Sequence, residues 1–252
     1  MELPPNALKA CLGDGGPVQW GMFTSLADPV AAEICAGAGF DFVIVDTEHA
    51  PADLRTVLHQ LQALGAYPLE PVVRAWNDDR ALLKRLLDVG ARTLLVPMVD
   101  SAEQAAAVVA ATRYVGGVRG VSSARAARWG RIPDYHATAD SEICVIVQVE
   151  TRQAIAAVDE IAAVPGIDAV FVGPMDLATS LGYPGGGTHP EVVEVVANTI
   201  ERIVAAGCAA GVLAATPEVR HRYVGAGATF VAVGVDTMLL SRATSALRAE
   251  LA

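Results

Sequence analysis

The chain has 252 residues, of which 53% are hydrophobic and 18% are charged, and its formal net charge at pH 7 is -10. A chain of this length and apolar content can bury a large core, whereas its acidic balance argues against a nucleic-acid partner, which usually requires a basic surface. No apolar run approaches the roughly 20 residues that span a bilayer, and the N-terminus lacks a secretory signal, so we expect no membrane partner and a cytoplasmic location.

Short β-branched runs alternate with Ala- and Leu-rich helical stretches along the whole chain. The predicted strands are Val18–Phe23, Phe40–Asp46, Pro71–Arg74, Arg92–Pro97, Ile143–Glu150, Ala169–Gly173, Ala209–Leu213 and Phe230–Val233. The predicted helices are Asp28–Ala38, Pro51–Leu64, Asp79–Val89, Ser101–Thr112, Thr151–Val164, Pro190–Ala206, Pro217–Gly225 and Thr237–Ala249. Several of these strands are almost wholly apolar, which is typical of parallel strands buried on both faces.

Eight β/α repeats in a chain of this length predict an α/β fold, a (β/α)8 TIM barrel that covers residues 1–252 as a single domain. The alternative, a doubly wound open sheet, usually carries a Gly-rich phosphate loop after its first strand. Thr24–Pro29 follows the first predicted strand and is no such loop, so the barrel is favoured. The arginine-rich segment Tyr114–Asp140 is predicted as a loop or short helix at the barrel rim, where it would bind an acidic substrate tail or pair with acids across a subunit interface.

Only two lysines occur in the chain, Lys9 and Lys84. Lys9 lies near the N-terminus and Lys84 lies inside a predicted helix. Active sites of TIM barrels lie at the C-terminal ends of the strands, and neither lysine is expected there. Chemistry on a carbonyl substrate would therefore not use a Schiff base, and a metal ion is the expected substitute.

Polar side chains are predicted at the C-terminal ends of four strands, facing one mouth. They are Asp46 and His49 after the second strand, Arg74 at the end of the third, Gln148 and Glu150 at the end of the fifth, and Asp176 after the sixth. Glu150 and Asp176 follow successive strands, so their carboxylates can converge on a hard divalent ion, with water and substrate oxygens as further ligands. Alternatively, each acid caps the helix that follows it.

His49 and Arg74 each have a functional and a structural interpretation. His49 lies three residues after Asp46, a spacing that lets the acid orient the imidazole and raise its basicity. Alternatively, His49 is a loop histidine that hydrogen-bonds to the backbone. A guanidinium in a barrel mouth needs an anionic partner, so Arg74 pairs with Asp46, Glu48 or Glu150, or with a substrate oxygen.

Seven motifs in the chain resemble those of one enzyme family. They are Asp46-Thr-Glu-His-Ala-Pro, Pro71-Val-Val-Arg, Leu94-Leu-Val-Pro-Met, Val118-Arg-Gly-Val, Gln148-Val-Glu-Thr, Phe171-Val-Gly-Pro-Met-Asp-Leu and Phe230-Val-Ala-Val-Gly-Val-Asp. Together, and in this order, they resemble the class II (metal-dependent) pyruvate aldolases of the 4-hydroxy-2-oxoheptanedioate and 2-dehydro-3-deoxyglucarate type. The match runs from about Gly21 to the C-terminus.

The resemblance implies a barrel of the phosphoenolpyruvate/pyruvate-binding type that reversibly cleaves a 4-hydroxy-2-oxo acid to pyruvate, or hydroxypyruvate, and an aldehyde. It implies a divalent ion (Mg²⁺, Mn²⁺ or Co²⁺) on Glu150 and Asp176, and a homo-hexamer with exchanged C-terminal helices. Among the implied catalytic residues, His49 is the acid/base beside Asp46, and Arg74 stabilises the enolate. Asp88 supports the basicity of the histidine, either within the chain or across a subunit boundary. The implied substrate-binding residues are Gln148, Gly173, Pro174, Met175, Asp176 and Leu213.

Two departures from the family pattern lie where we expect an acceptor aldehyde to be sensed. Thr47 stands where the family usually has glycine, and Val121–Trp129 is slightly shorter than usual. Two other functions remain as alternatives. An acyl-CoA lyase of the malyl-CoA or citryl-CoA type would share the barrel and the acid pair, although such chains tend to be longer. A barrel that binds a 2-oxo acid as a sensor would not turn it over.

Overall fold

The computed structural model describes residues 1–13 and 16–251, and its strands form a closed parallel barrel in sequence order. The strands are β1 (Gln19–Thr24), β2 (Phe42–Asp46), β3 (Glu70–Arg74), β4 (Thr93–Val96), β5 (Cys144–Val149), β6 (Ala169–Val172), β7 (Ala209–Leu213) and β8 (Phe230–Val235). Each strand pairs in parallel with the next, and β8 closes the barrel against β1. The predicted TIM barrel is therefore confirmed against the open sheet. That residues 1–252 form a single domain stays a prediction.

Helices separate the strands and cover the outside of the barrel. They are α1 (Ala7–Gly13), α2 (Pro29–Ala36), α3 (Leu54–Leu64), α4 (Arg80–Asp88), α5 (Ala102–Thr112), α6 (Tyr135–Thr138), α7 (Arg152–Ala156), α8 (Val158–Ala162), α9 (Pro174–Ser180), α10 (Pro190–Ala205), α11 (Pro217–Gly225) and α12 (Asp236–Ala249). Within the described ranges, none of these helices is long and apolar enough to cross a membrane.

The helices differ from the predicted set in two respects. The predicted helix Thr151–Val164 is divided into α7 and α8, because the chain leaves helical geometry at Ala157, where ψ is 8°. Helices α1 and α9 lie outside the predicted set. Helix α9 begins directly after β6 with Pro174 in its first turn, a position that proline favours, so a local signal for it exists.

Alternation along each strand divides the apolar core into an inner and an outer layer. On β2, Phe42 and Ile44 belong to the inner cluster, whereas Val43 and Val45 belong to the cluster shared with the surrounding helices. The inner cluster also contains Leu8 of α1, which is 2% exposed. Helix α1 therefore packs against the N-terminal end of the barrel interior, and side chains fill that end.

The segment Tyr114–Asp140 lies at the opposite end of the barrel from the predicted mouth. It forms α6 and a 3-10 helix at Arg125–Gly130, as expected for a loop with short helices. It joins α5 to β5, and connections from helix to strand run along the N-terminal face of the barrel. Arg125 donates to the carbonyl oxygen of Val89, just past the end of α4, at 2.6 Å. Within one chain, this segment does not reach a substrate at the mouth, which corrects its predicted placement.

Candidate active site

A cavity of about 470 Å³ opens at the C-terminal end of the barrel. Ten residues predicted for the site line it: Asp46, His49, Arg74, Gln148, Glu150, Gly173, Pro174, Met175, Asp176 and Leu213. Its other lining residues are Phe23, Ser25, Pro51, Phe171, Val235, Thr237 and Met238. The cavity thus brings together groups from seven of the eight strands and from the segments that follow them.

Asp46 and Arg74 form a buried ion pair on neighbouring strands. They are register partners at the ends of β2 and β3, which brings their side chains together on the inner face. The Nε and Nη2 atoms of Arg74 donate to the two carboxylate oxygens of Asp46 at 2.9 and 2.8 Å. Burial by itself would raise the pKa of Asp46, but the hydrogen bonds and positive charge of Arg74 lower it. Asp46 is therefore an ionised group that fixes the guanidinium at the cavity wall.

Glu48, rather than Asp46, is the acid beside the imidazole of His49. Glu48 Oε2 lies 3.8 Å from His49 Nε2 and 3.1 Å from Arg74 Nη1. Asp46 instead accepts a hydrogen bond from the backbone N–H of His49 at 3.3 Å. The expectation that Asp46 orients the imidazole is corrected, because Arg74 engages both oxygens of that carboxylate. The imidazole is 60% exposed and projects into the open mouth.

The pKa of Glu48 is raised to about 6, chiefly by burial, with the positive charge of Arg74 acting against the rise. From the sequence, Glu48 is expected only as a partner for Arg74. The spacing Asp46-Thr-Glu-His49 does not indicate that Glu48 lies next to the ring of His49. Both acids are close to His49 in sequence, and the conformation of the turn after β2 decides which of them faces the imidazole.

Glu150 is a deeply buried carboxylate that has no ion-pair partner among the described residues. Its Oε1 accepts the backbone N–H of Met98 at 3.0 Å, and its Oε2 accepts the side-chain amide of Gln148 at 2.5 Å. Burial raises the pKa of Glu150 to about 7, these hydrogen bonds oppose the rise, and the negative charges of Glu48 and Asp176 add to it. A carboxylate held in this way lacks a counter-charge.

The backbone on both sides of Glu150 is shaped to accommodate it. Met98 has a φ of 57°, an uncommon conformation for a residue with a side chain, and its N–H reaches the carboxylate. On the other side, a Cβ atom added to Gly173 would lie 2.4 Å from Glu150 Oε2 and 3.3 Å from Gln148 Nε2. Glycine is therefore required at position 173, because any side chain would occupy the space of the carboxylate.

The helix-capping interpretation of the acid pair fits the structure poorly. The N-cap of α7 is Thr151, whose side chain accepts the N–H of Ala154, and Glu150 precedes that cap. Asp176 lies in the first turn of α9, but the N-cap there is Gly173 and no side-chain hydrogen bond caps the helix. Neither carboxylate is thus used as an N-cap, and both line the cavity.

The donor set of the cavity fits a hard divalent cation. Glu150 and Asp176 both line the cavity, and the negative charge of Asp176 contributes to the raised pKa of Glu150. Among the described residues, no cluster of three or more His, Cys, Asp or Glu side chains has the geometry of a metal site. The chain would therefore supply two ligands, and water and substrate oxygens would complete the shell, as Mg²⁺ usually requires.

Asp88 and the two lysines lie away from the cavity. Asp88 ends α4 on the N-terminal side of the barrel, where its Oδ1 is 3.9 Å from Arg119 Nη2. Lys9 Nζ donates to the carbonyl oxygen of Ile143 at 2.7 Å, next to the start of β5. Neither Lys9 nor Lys84 lines the cavity, in agreement with the exclusion of a Schiff base. A catalytic role of Asp88 stays a prediction, and in this geometry it would require a neighbouring subunit.

Two departures from the family pattern do not contact the cavity in this chain. Thr47 is buried, and its hydroxyl donates to the carbonyl oxygen of Arg74 at 2.6 Å, which ties the end of β2 to β3. Val121–Trp129 belongs to the segment at the opposite end of the barrel. The expectation that these positions sense the acceptor aldehyde is therefore corrected for a single chain.

Two further residues organise the mouth and lie outside the predicted site. The hydroxyl of Ser25 donates to Asp46 Oδ2 at 3.0 Å. Asp236, at the start of α12, accepts the backbone N–H groups of Ser25 and Leu26 at 2.8 and 3.1 Å. Asp236 thus ties the loop after β1 to the start of α12, at the point where β8 closes the barrel against β1. No local pattern indicates this pairing, because the partners are about 210 residues apart in the chain.

Comparison with known proteins shows the family to which the chain belongs. Residues 19–243 match a family model described as HpcH/HpaI aldolase/citrate lyase. A hydroxypyruvate/pyruvate aldolase from Deinococcus radiodurans is 54% identical, with 99% of this chain and 92% of that protein covered. A 4-hydroxy-2-oxo-heptane-1,7-dioate aldolase from Salmonella dublin is 52% identical, covering 97% and 94%.

Among solved structures, an HpcH/HpaI aldolase/citrate lyase family protein from Burkholderia cenocepacia J2315 is similar over nearly its whole length. The TM-score is 0.93, the sequence identity is 41%, and the match covers 98% of this chain and 99% of that chain. The barrel of this chain is therefore similar to that of a solved member of the family over nearly the whole chain.

Proposed function

We propose that this chain, which belongs to the HpcH/HpaI aldolase/citrate lyase family, is an aldolase that reversibly cleaves a 4-hydroxy-2-oxo acid to pyruvate, or hydroxypyruvate, and an aldehyde. The observation that carries the proposal is the meeting of Glu150, Asp176, Arg74 and His49 in one cavity. The similar relatives are named as aldolases, which supports this reaction over an acyl-CoA lyase or a sensor.

Arg74 and His49 have complementary roles in the cleavage. His49 takes the proton of the C4 hydroxyl, the C3–C4 bond breaks, and the electron pair moves into the enolate of the 2-oxo acid. Two of the five guanidinium N–H groups donate to Asp46, and Nη1 forms an ion pair with Glu48 at 3.1 Å without a hydrogen bond, which leaves donors for the enolate oxygen. In the reverse direction, the enolate carbon attacks the aldehyde carbon, and His49 returns the proton to the new hydroxyl oxygen.

Glu150 and Asp176 would hold the divalent cation, with Gln148 and Met98 fixing the orientation of Glu150. When bound, the cation supplies positive charge that stabilises the enolate oxygen. We further propose Mg²⁺, Mn²⁺ or Co²⁺ as the ion, Gln148, Gly173, Pro174, Met175 and Leu213 as substrate contacts, a hexameric assembly in which Asp88 serves a neighbouring subunit, and a cytoplasmic location.

The proposal is tested by measuring pyruvate release from a 4-hydroxy-2-oxo acid before and after treatment with a chelator. We expect release that stops on chelation and returns when Mg²⁺, Mn²⁺ or Co²⁺ is added. Full activity of metal-free protein would remove the cation from the mechanism. If the metal-loaded protein released no pyruvate and exchanged no pyruvate methyl protons with heavy water, the aldolase function itself would be refuted.

His49→Ala is expected to lower kcat by about 10²- to 10⁴-fold, the usual contribution of a general acid or base. Binding of the divalent ion should be unchanged, because His49 is not placed as a ligand. Calorimetric titration with Mn²⁺ and a retro-aldol assay measure the two quantities separately. His59→Ala, on the exposed face of α3, is the matched control and should retain full activity. An equal loss in both variants, or a loss of Mn²⁺ binding in His49→Ala, would contradict the assigned role.

Divalent-ion affinity is expected to rise about tenfold between about pH 6 and about pH 8, because Glu150 must lose its proton to bind the ion. The pKa of Glu150 is raised to about 7. Below that pH a proton competes with the divalent ion for the carboxylate, and above it the competition becomes small. In metal-free protein the raised pKa makes the fold less stable as the pH rises from about 4.5 to about 7, by about 3 kcal/mol in all, because the unfolded state ionises first.

This pH dependence is measured by Mn²⁺ titration and by urea unfolding of metal-free protein. Glu48→Gln removes the neighbouring carboxylate whose pKa is raised to about 6, and separates its contribution from that of Glu150. Affinity that stays constant over this pH range would show that Glu150 is already ionised at the lower pH or is not a ligand.

A further inference from the structure

We propose that Asp236 is a positioning residue of the retro-aldol site, because it fixes the end of β1 and thereby the orientation of the Arg74 guanidinium. This role rests on the proposed aldolase function, in which Arg74 donates to the enolate oxygen. Asp236 does not itself line the cavity, although Val235 and Thr237 on either side of it do. It therefore acts on the reaction only through the groups that it holds in place.

The carboxylate of Asp236, rather than the packing of its helix, attaches this residue to the barrel. Of the described residues of α12, Asp236 alone is buried, with 6% exposure. Its Oδ1 accepts the backbone N–H groups of Ser25 and Thr237 at 2.8 and 2.7 Å, and its Oδ2 accepts that of Leu26 at 3.1 Å. Within residues 1–13 and 16–251 it forms no ion pair, so these N–H groups compensate its charge.

The loop that Asp236 holds has an uncommon backbone conformation. Ala27 has a φ of 55°, in the left-handed region that residues with a side chain rarely adopt. Such a conformation persists only where the surrounding contacts determine it. The two residues before Ala27 donate their N–H groups to Asp236. We therefore expect the loop to move, and Ser25 with it, when the Asp236 carboxylate is altered.

The end of β1 and the residue after it contact both members of the Asp46–Arg74 ion pair. The hydroxyl of Ser25 donates to Asp46 Oδ2 at 3.0 Å, and the same oxygen accepts Arg74 Nη2 at 2.8 Å. The ring of Phe23 lies against the guanidinium, with 4.8 Å between Arg74 Cζ and the ring centroid. Ser25 thus sets the orientation of the carboxylate, and the carboxylate sets that of the guanidinium, within one chain.

The orientation of the guanidinium matters because negative charge develops on one oxygen of the enolate. A donor stabilises that charge only when it lies about 3 Å from the oxygen, and a misplacement of about 1 Å can cost about 10²-fold in rate. The charge develops in the transition state, so a misplaced guanidinium should lower kcat and leave KM for the 2-oxo acid nearly unchanged.

The experiment is a double-mutant cycle on retro-aldol cleavage, with Asp236→Asn, Arg74→Ala and the variant that carries both substitutions. In Asp236→Asn one oxygen becomes an NH₂ group, which cannot accept a backbone N–H. We expect kcat about tenfold lower and KM changed by less than about twofold. In the Arg74→Ala background the same substitution should lower kcat/KM by less than about twofold, because the group through which it acts is absent.

Three results would overturn the role of Asp236. They are an unchanged kcat in Asp236→Asn, a raised KM at constant kcat, and a full tenfold effect in the Arg74→Ala background, which is the result expected if Asp236 served stability alone. Asp28→Asn is the matched control. Asp28 lies in the same loop and accepts the N–H groups of Val30 and Ala31 at 2.9 and 3.0 Å. Asparagine caps a helix as well as aspartate does, so this variant should keep full activity.

Ser25→Ala provides a second test that holds even if Asp236→Asn does not fold, because it removes only one hydroxyl. It should lower kcat by about threefold or more, the weight of one hydrogen bond, and have no effect in the Arg74→Ala background. An unchanged kcat in Ser25→Ala would count against the role of Asp236.

Exchange of pyruvate methyl protons with heavy water by the parent protein reports on the aldolase function separately. Exchange by the parent together with independent effects of Asp236 and Arg74 would overturn only the role of Asp236. Absence of both exchange and cleavage would overturn the proposed function and this role together.

Discussion

Arg74→Ala is expected to lower kcat/KM for retro-aldol cleavage by about 10²- to 10³-fold, the usual effect of removing one donor to a developing oxyanion. It should also lower the free energy of unfolding by about 3–5 kcal/mol, because Asp46 would remain buried, ionised and without its partner. Arg74 donates to both oxygens of Asp46, and the side chains of Arg74 and Asp46 are 10% and 2% exposed. Retro-aldol kinetics and urea unfolding measure the two effects.

The two effects of Arg74→Ala can be separated by a double substitution. Combining Arg74→Ala with Asp46→Asn removes the uncompensated charge, so most of the stability should return while activity stays low. Arg222→Ala is the surface control, because Arg222 pairs with Glu194 and Glu201 on exposed helices. It should change stability by less than about 1 kcal/mol and leave activity unaltered. Recovery of activity in the double variant would show that Arg74 acts only by neutralising Asp46.

Glu150→Ala is expected to abolish metal-dependent turnover, a loss of about 10³-fold or more, because one of the two proposed protein ligands of the cation is removed. Retro-aldol rates measured over a range of Mn²⁺ concentrations should show no recovery at any concentration. In metal-free protein near pH 8, the isosteric Glu150→Gln should be at least as stable as the parent. At that pH the parent holds a buried carboxylate whose pKa is raised to about 7 and which lacks a counter-charge.

Glu70→Gln is the matched control for Glu150. Glu70 is 5% exposed, and burial raises its pKa, but it lies at the start of β3 and pairs with Arg92 at 2.9 Å. It should lose stability, because Arg92 loses its partner, and it should keep metal-dependent activity. If both variants lost activity to the same extent, burial of a charge in the barrel rather than ligation of an ion would explain the loss. Activity retained in Glu150→Ala would remove Glu150 from the metal site.

The strand-end groups of the site could be predicted because the rules that place them are local. Period-two alternation on β5 puts Gln148 and Glu150 on one face, and the C-terminal ends of parallel strands meet at one mouth. Both residues line the cavity. The partner of His49 could not be predicted in this way. Asp46 and Glu48 are both close in sequence, and the choice between them depends on Arg74, which arrives from β3 and takes the carboxylate of Asp46.

By itself, the sequence determined the repeat of strands and helices, the closed barrel that follows from it, and the residue types that meet at the mouth. These features depend on hydrophobic periodicity and on the direction of parallel strands, which are properties of short segments. Only the tertiary structure decided which acid faces the imidazole, on which side of the barrel Tyr114–Asp140 lies, and that Asp236 fixes the loop after β1. These contacts depend on packing between segments far apart in the chain, and ion pairing and burial there select one partner among several of the same charge.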